Sequence, residues 1–196
     1  MKQPGTWSPP ILSRTALDIL QPGVHNGQMP TEEHHAKTIA CVPCAIITVS
    51  DTRTFATDKS GSLIRERLEA AGHQVIHYEI LPDQPEQVRD QILSLCDQAT
   101  CRAVFITGGT GLSTRDTTYE AVVSLLEKRL DGFGELFRML SYEDIGAAAM
   151  LSRAVAGVRD ATLVFSMPGS PAAVRLALDK LILPELGHLA WLVSQA

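Results

Sequence analysis

Asp83 and Asp116, each set where an apolar run gives way to a loop, are among the residues of this 196-residue chain best suited to chemistry. A carboxylate pair so placed can hold Mg²⁺ against substrate phosphates. Each aspartate also has a plainer use. Asp83-x-x-Glu86 and the residues after Asp116 both read as helix starts, where an aspartate caps free amides. From spacing alone, capping is the more economical account of each. Between them, Thr107-Gly108-Gly109-Thr110-Gly111 follows the apolar run Ala103-Val104-Phe105-Ile106. Three of the four positions from Gly108 to Gly111 lack a β-carbon, so their amides can approach an anion closely. No Gly-Lys-Ser/Thr follows, and the dinucleotide fingerprint is absent. A tight turn explains the glycines equally well. Ser152-Arg153 is similarly open: the guanidinium can clamp a phosphate or form a surface ion pair. Pro168-Gly169-Ser170-Pro171 reads as a helix start, with Ser170 as N-cap and Pro171 at the first helical position.

The elements that must position these residues are legible from Cys44 onward. Ala45 to Val49 is a continuous apolar run ending at Ser50-Asp51, as expected of a strand covered on both faces. Ser60 to Ala71 carries Leu63, Ile64, Leu68 and Ala71 at helical spacing, and Gly72 stops it. Val75 to Leu81 predicts a second strand, and Val88, Ile92, Leu95, Cys96 and Ala99 one face of a second helix. A third strand enters the glycine loop. A helix follows from about Thr118, with Thr117-x-x-Glu120 as a capping box. Thr162 to Met167 predicts a late strand and the residues after Ser170 another helix. Alternation of this kind implies βαβ crossovers and a mostly parallel sheet between helical layers, a three-layer α/β fold. Ligands in such sheets bind outside the carboxyl ends of the strands. Four strand ends therefore converge on one rim: Ser50-Asp51, Pro82-Asp83, Gly108 to Gly111, and Ser166-Met167-Pro168-Gly169.

Residues 1–40 differ, with an apolar patch from Ile11 to Leu20 and a polar His34-His35 pair. They predict a partly disordered extension ahead of one domain over 41–196. The net charge of −5 and the lack of a Lys/Arg run argue against nucleic acid as a partner. No apolar run reaches the roughly 18 to 20 residues of a membrane span, and Met1 to Pro10 lacks a signal-peptide core, so a cytoplasmic protein is expected. Cys41-x-x-Cys44 lacks a second zinc-type pair and enters a strand, so Cys41, Cys44, Cys96 and Cys101 read as reduced thiols. Gly132 to Met150 mixes apolar residues with the small-residue run Ala147-Ala148-Ala149, and as a helical excursion between two strands it predicts a subunit contact.

Residues 44 to about 190 resemble the MoaB/MogA proteins and the G domains of gephyrin-type proteins. The matching motifs are Thr48-Val49-Ser50-Asp51, Asp58-x-Ser60-Gly61, Pro82-Asp83, and Thr107 to Gly111 followed by Arg115-Asp116. They continue in order through Gly132 to Arg138, Ser152 to Gly157, and Met167-Pro168-Gly169-Ser170. The wording of Phe137 to Glu143 is closest to the MoaB branch. The resemblance implies trimers, with hexamers in that branch, and a pocket for molybdopterin. It also implies transfer of AMP from Mg·ATP to the molybdopterin phosphate, with Asp83 and Asp116 catalytic and metal-binding. The adenylylated product would pass to a molybdate-insertion protein. Substrate contacts are expected from Ser50, Asp51, Ser60, Gly61, Thr107 to Gly111, Ser152, Arg153, Ser166, Pro168, Gly169 and Ser170. Two departures stand out: Asp116-Thr117-Thr118-Tyr119-Glu120 replaces the usual Asp-Val-Thr-Pro-Glu, and Ser166 replaces a common Asn. Some MoaB-branch members lack the acidic pair, which keeps a non-catalytic carrier as the alternative.

Overall fold

The apolar runs become strands in one sheet, and the computed structural model describes residues 37–195. Strands β1 (Pro43–Val49), β2 (Gln74–Leu81), β3 (Ala103–Thr107), β4 (Lys128–Arg129), β5 (Val155–Arg159) and β6 (Thr162–Met167) lie in the order β2-β1-β3-β6-β5-β4. β2, β1, β3 and β6 run parallel, while β5 pairs antiparallel with β6 and β4 with β5. The β5–β6 hairpin, turning through Asp160 at φ 51°, goes beyond the single late strand read from the sequence. A glycine and a charge, Gly157 and Arg159, broke the apolar pattern that would have announced β5.

Period-two alternation sends neighbouring side chains to opposite helical layers. Cys44, Ile46, Phe105, Phe165 and Met167 face a layer formed by α1 (Lys59–Ala70), α4 (Asp131–Ile145), α5 (Pro171–Ala177) and α6 (Leu186–Val193). Ala45, Ile47, Val104, Ile106 and Val164 face α2 (Pro85–Cys96) and α3 (Thr118–Leu125). The expected three-layer α/β arrangement is present. Phe165 sits at its centre, with its ring 5.4 Å from that of Phe105 and 5.6 Å from that of Phe133. Helix α4 continues into a 3-10 turn, Gly146–Leu151, which carries the chain back to β5.

The body of the fold reaches back at least to Lys37, ahead of the expected boundary at residue 41. Ile39 donates its amide to the Gly187 carbonyl at 3.0 Å, and the Lys37 ammonium lies 5.1 Å over the Trp191 ring. The apolar patch Ile11 to Leu20 and His34-His35 lie outside the described residues. Cys44, Cys96 and Cys101 are buried in the core, and burial pushes the Cys101 thiol up to about 11.

Candidate functional site

The carboxyl ends of the parallel strands form one rim, with the loops after β1, β2, β3 and β6 side by side. Because β5 runs the other way, its leading residues Ser152 and Arg153 arrive at that same rim. The glycine loop is wedged between two strand ends: Gly108 donates to the Met167 carbonyl at 3.3 Å, and a β-carbon there would overlap the Val49 carbonyl. Gly108 and Gly109 have φ of 99° and 61°, a region that costs other residues strain.

Both expected aspartates lie against this loop. A β-carbon on Gly109 would sit 2.8 Å from Asp83 Oδ2, and one on Gly111 would sit 2.6 Å from Asp116 Oδ2. Neither carboxylate caps the helix that follows it. Helix α2 has Gln84 as its N-cap without a side-chain bond, while Asp83 Oδ1 reaches across to accept from the Thr117 amide and hydroxyl, at 3.4 and 3.3 Å. Asp116 Oδ2 accepts from the Ser113 amide at 3.1 Å. The capping box therefore does not form: Thr117 serves Asp83, and Glu120 pairs with Arg153. Asp51 joins the group by accepting from the Asp83 amide at 3.1 Å, and it pairs with Arg115 at 2.5 Å. Burial first, then the like charges of Asp116 and Asp51, hold the Asp83 carboxyl above its ordinary value despite the Thr117 bonds.

Arg153 is half-buried against the loop and lines the hollow beside it. Its Nε donates to the Thr110 carbonyl at 2.9 Å and its Nη2 to the carbonyls of Gly111 at 2.6 Å and Asp116 at 3.3 Å. Its Nη1 pairs with Glu120, and its guanidinium lies 4.9 Å over the Tyr119 ring. Of the two uses open from the sequence, the structure shows the ion pair, with Glu120, and the remaining donors splint the loop.

Several other expected contacts are buried inside the rim. Ser60 donates to the Gly169 carbonyl at 2.8 Å, Thr107 donates to the Pro168 carbonyl at 3.2 Å, and the Ser166 hydroxyl is fully buried with no partner. Ser50 accepts from the amides of Thr52 and Arg53, which shapes its own loop. A β-carbon on Gly61 would collide with Asp58 and Tyr78. These residues help to build the rim. Thr110 is also buried, leaving Asp51, Gly109, Gly111, Ser152, Pro168, Gly169 and Ser170 partly or fully exposed. Ser170 caps α5, as its sequence predicts.

A network that sequence reasoning gave no role lies beneath. Asp58 is buried and accepts from the Gly61 amide at 3.0 Å, Tyr78 Oη at 2.7 Å and Arg53 Nη1 at 3.3 Å. Arg53 Nη2 also donates to the Gly169 carbonyl at 3.1 Å, so the first and last rim loops are tied together. Burial works against the Asp58 charge, yet these donors hold its carboxyl below the ordinary value.

Two hollows open at the rim. One, of ≈260 Å³, is walled by Gly111, Ser113, Asp116, Thr117 and Glu120. The other, of ≈160 Å³, is reached by Ser152, Pro168 and Ser170. Among the described residues no three His, Cys, Asp or Glu side chains are grouped to hold a metal unaided. Two carboxylates beside a glycine loop do suit Mg²⁺, which takes one or two carboxylates together with substrate phosphates.

Residues 45–188 match the model of a family described as "Probable molybdopterin binding domain". Molybdenum cofactor biosynthesis protein B of Halalkalibacterium halodurans is 54% identical over 162 residues, 82% of this chain and 95% of that protein. Its counterpart in Bacillus subtilis strain 168 is 52% identical over 162 residues, covering the same shares. Among solved structures, a molybdenum cofactor biosynthesis protein B superposes with a TM-score of 0.77 at 53% identity, covering 79% of this chain and 97% of the other. The MoaB molybdopterin biosynthesis enzyme of Thermus thermophilus superposes with a TM-score of 0.70 at 36% identity, covering 79% and 98%.

Proposed function

This chain belongs to that family of molybdopterin-binding domains in molybdenum cofactor biosynthesis, and from that premise we propose that it is a molybdopterin adenylyltransferase. It binds molybdopterin and moves AMP from Mg·ATP onto the terminal phosphate. An oxygen of that phosphate attacks the α-phosphorus of ATP, the bond to the β-phosphate oxygen breaks, and pyrophosphate leaves. The attacking phosphate is already ionised, so the main demand is relief of charge repulsion.

The observation that carries this reading is the placement of Asp83 and Asp116. They come from two different strand-end loops, lie against Gly109 and Gly111, and cap neither adjoining helix. Asp83 and Asp116 are the residues that would hold Mg²⁺ alongside substrate phosphates, and the ion would supply neutralisation of the developing charge. The exposed glycine backbone lets phosphates approach, Arg153 fixes the loop, and Ser152 and Ser170 offer hydroxyls at the neighbouring hollow. The protein would act in the cytoplasm and hand its product to a molybdate-insertion partner.

Incubating the purified protein with molybdopterin and Mg·ATP should yield adenylyl-molybdopterin and pyrophosphate. Binding without product would favour the second reading, a non-catalytic molybdopterin carrier. Ser166 gives that reading its specific support, since its buried hydroxyl offers a ligand nothing where active relatives of this family commonly present an Asn amide.

A further inference from the structure

The hollow beside Ser152 holds more than the two hydroxyls that the reaction above draws on. Its apolar walls come from Ile145, Pro168 and Leu176, on three separate segments. Three hydroxyls and one carboxylate also line it: Ser141, Ser152, Ser170 and Asp144. At ≈160 Å³ it has room for a flat two-ring heterocycle.

The hydroxyls are partly committed. Ser141 donates to the Phe137 carbonyl at 2.7 Å, which leaves it an acceptor, and Ser170 accepts from the Ala173 amide at 3.2 Å, which leaves it a donor. Asp144 is different. The other acids near the rim are all engaged: Asp51 with Arg115, Asp83 with Thr117, Asp116 with Ser113, Glu120 with Arg153, and Asp58 with three donors. Asp144 has no side-chain hydrogen bond or ion pair with any described residue. An acceptor-only group at an apolar slot has one obvious complement, a ring edge carrying adjacent N–H donors. A carboxylate takes two such donors in a fork and thereby fixes ring orientation.

We propose that Asp144 is a specificity-determining residue that reads the 2-amino and N3–H donors of the pterin ring, the ring lying between Ile145, Pro168 and Leu176. This rests on the molybdopterin reading above and adds to it a recognition element outside the acidic pair. The slot then rejects rings that place a carbonyl where the pterin has its amino group, because that oxygen would face the carboxylate. It also seats the pterin on the α4 side of Ser152, leaving the Asp83–Asp116 side to phosphates.

The test is a fluorescence titration of the purified full-length chain with pterin and with lumazine, in which a carbonyl replaces the 2-amino group. Wild type should bind pterin at least tenfold more tightly than lumazine. Asp144→Asn, exposed and isosteric, should weaken pterin at least tenfold and abolish the preference. A parallel titration with molybdopterin separates the two claims. Equal molybdopterin and pterin affinity in wild type and Asp144→Asn would overturn the assignment of Asp144 and leave the molybdopterin reading standing. Failure of wild type to bind molybdopterin at all would overturn both.

Discussion

At the level of single residues, Asp83 and Asp58 show how environment assigns one side-chain type to opposite tasks. Asp83 is held above its ordinary value by burial and by Asp116 and Asp51. Its native state thus keeps a proton longer than the unfolded chain does. Stability attached to that proton is lost as pH rises through the window above the ordinary carboxylate value, so the ionised group is a cost near neutrality. Asp83→Asn should melt at or above wild type at about pH 7, with the gain vanishing near about pH 4. Adenylylation should nevertheless fall by about two orders of magnitude in Asp83→Asn and in Asp116→Asn, as expected on loss of a preorganised charge. Molybdopterin affinity should hold in both, measured by titration beside the turnover assay. Near-normal turnover in both variants would remove them from the chemistry.

Asp58 is the reverse case. Its folded value lies below the unfolded one, so its contribution is present above the ordinary aspartate value and lost as pH falls through the folded value. Asp58→Asn sets an amide donor among the donors of Gly61, Tyr78 and Arg53. It should lose about 2–4 kcal/mol at neutral pH, with the gap to wild type closing in acid. Urea unfolding at two pH values measures this, and a pH-independent gap would mean that packing, not charge, is at stake.

Among elements, the loop between β3 and α3 depends on a residue that comes from before β5. Arg153 bonds three of the loop region's carbonyls and the Glu120 carboxylate at once. Lysine cannot reproduce a planar fork with several donors. Arg153→Ala and Arg153→Lys should both raise amide hydrogen exchange over residues 110–117 by at least tenfold, while β1 and β3 stay protected. Turnover should drop more than molybdopterin affinity. Unchanged exchange would show that the loop holds itself.

For the whole molecule, the outer side of α4 and the 3-10 turn remains apolar and open. Met139 and Tyr142, three residues apart, are 54% and 63% exposed, and Met150 is 79% exposed. Apolar area this continuous is expected to be covered by another copy of the chain. A trimer, or a multiple of three, should appear by light scattering at micromolar concentration. Met139→Asp with Tyr142→Ser should shift it to smaller species without loss of helicity. A monomeric wild type would rule the assembly out.

The sheet-forming runs, the helical faces, the capping of α5 by Ser170 and the loops that meet at the rim are all written in the order of the residues. All of these are local: periodicity and turn chemistry act over a few residues, and a parallel α/β chain has few ways to arrange them. The order of family motifs supplied Asp83 and Asp116. The use of each polar group emerges only on folding, because a hydrogen bond across the fold leaves no trace in spacing. Thr117 and Glu120 satisfy a capping pattern, yet Asp83 and Arg153 engage them instead. Ser60, Thr107 and Ser166 read as rim residues, yet alternation and loop packing bury them. Arg153 reads equally as a phosphate clamp or an ion-pair partner, and the fold spends it on Glu120 and on carbonyls of a loop 37 to 43 residues away. The antiparallel β5 brings it there, a reversal that no local pattern encoded.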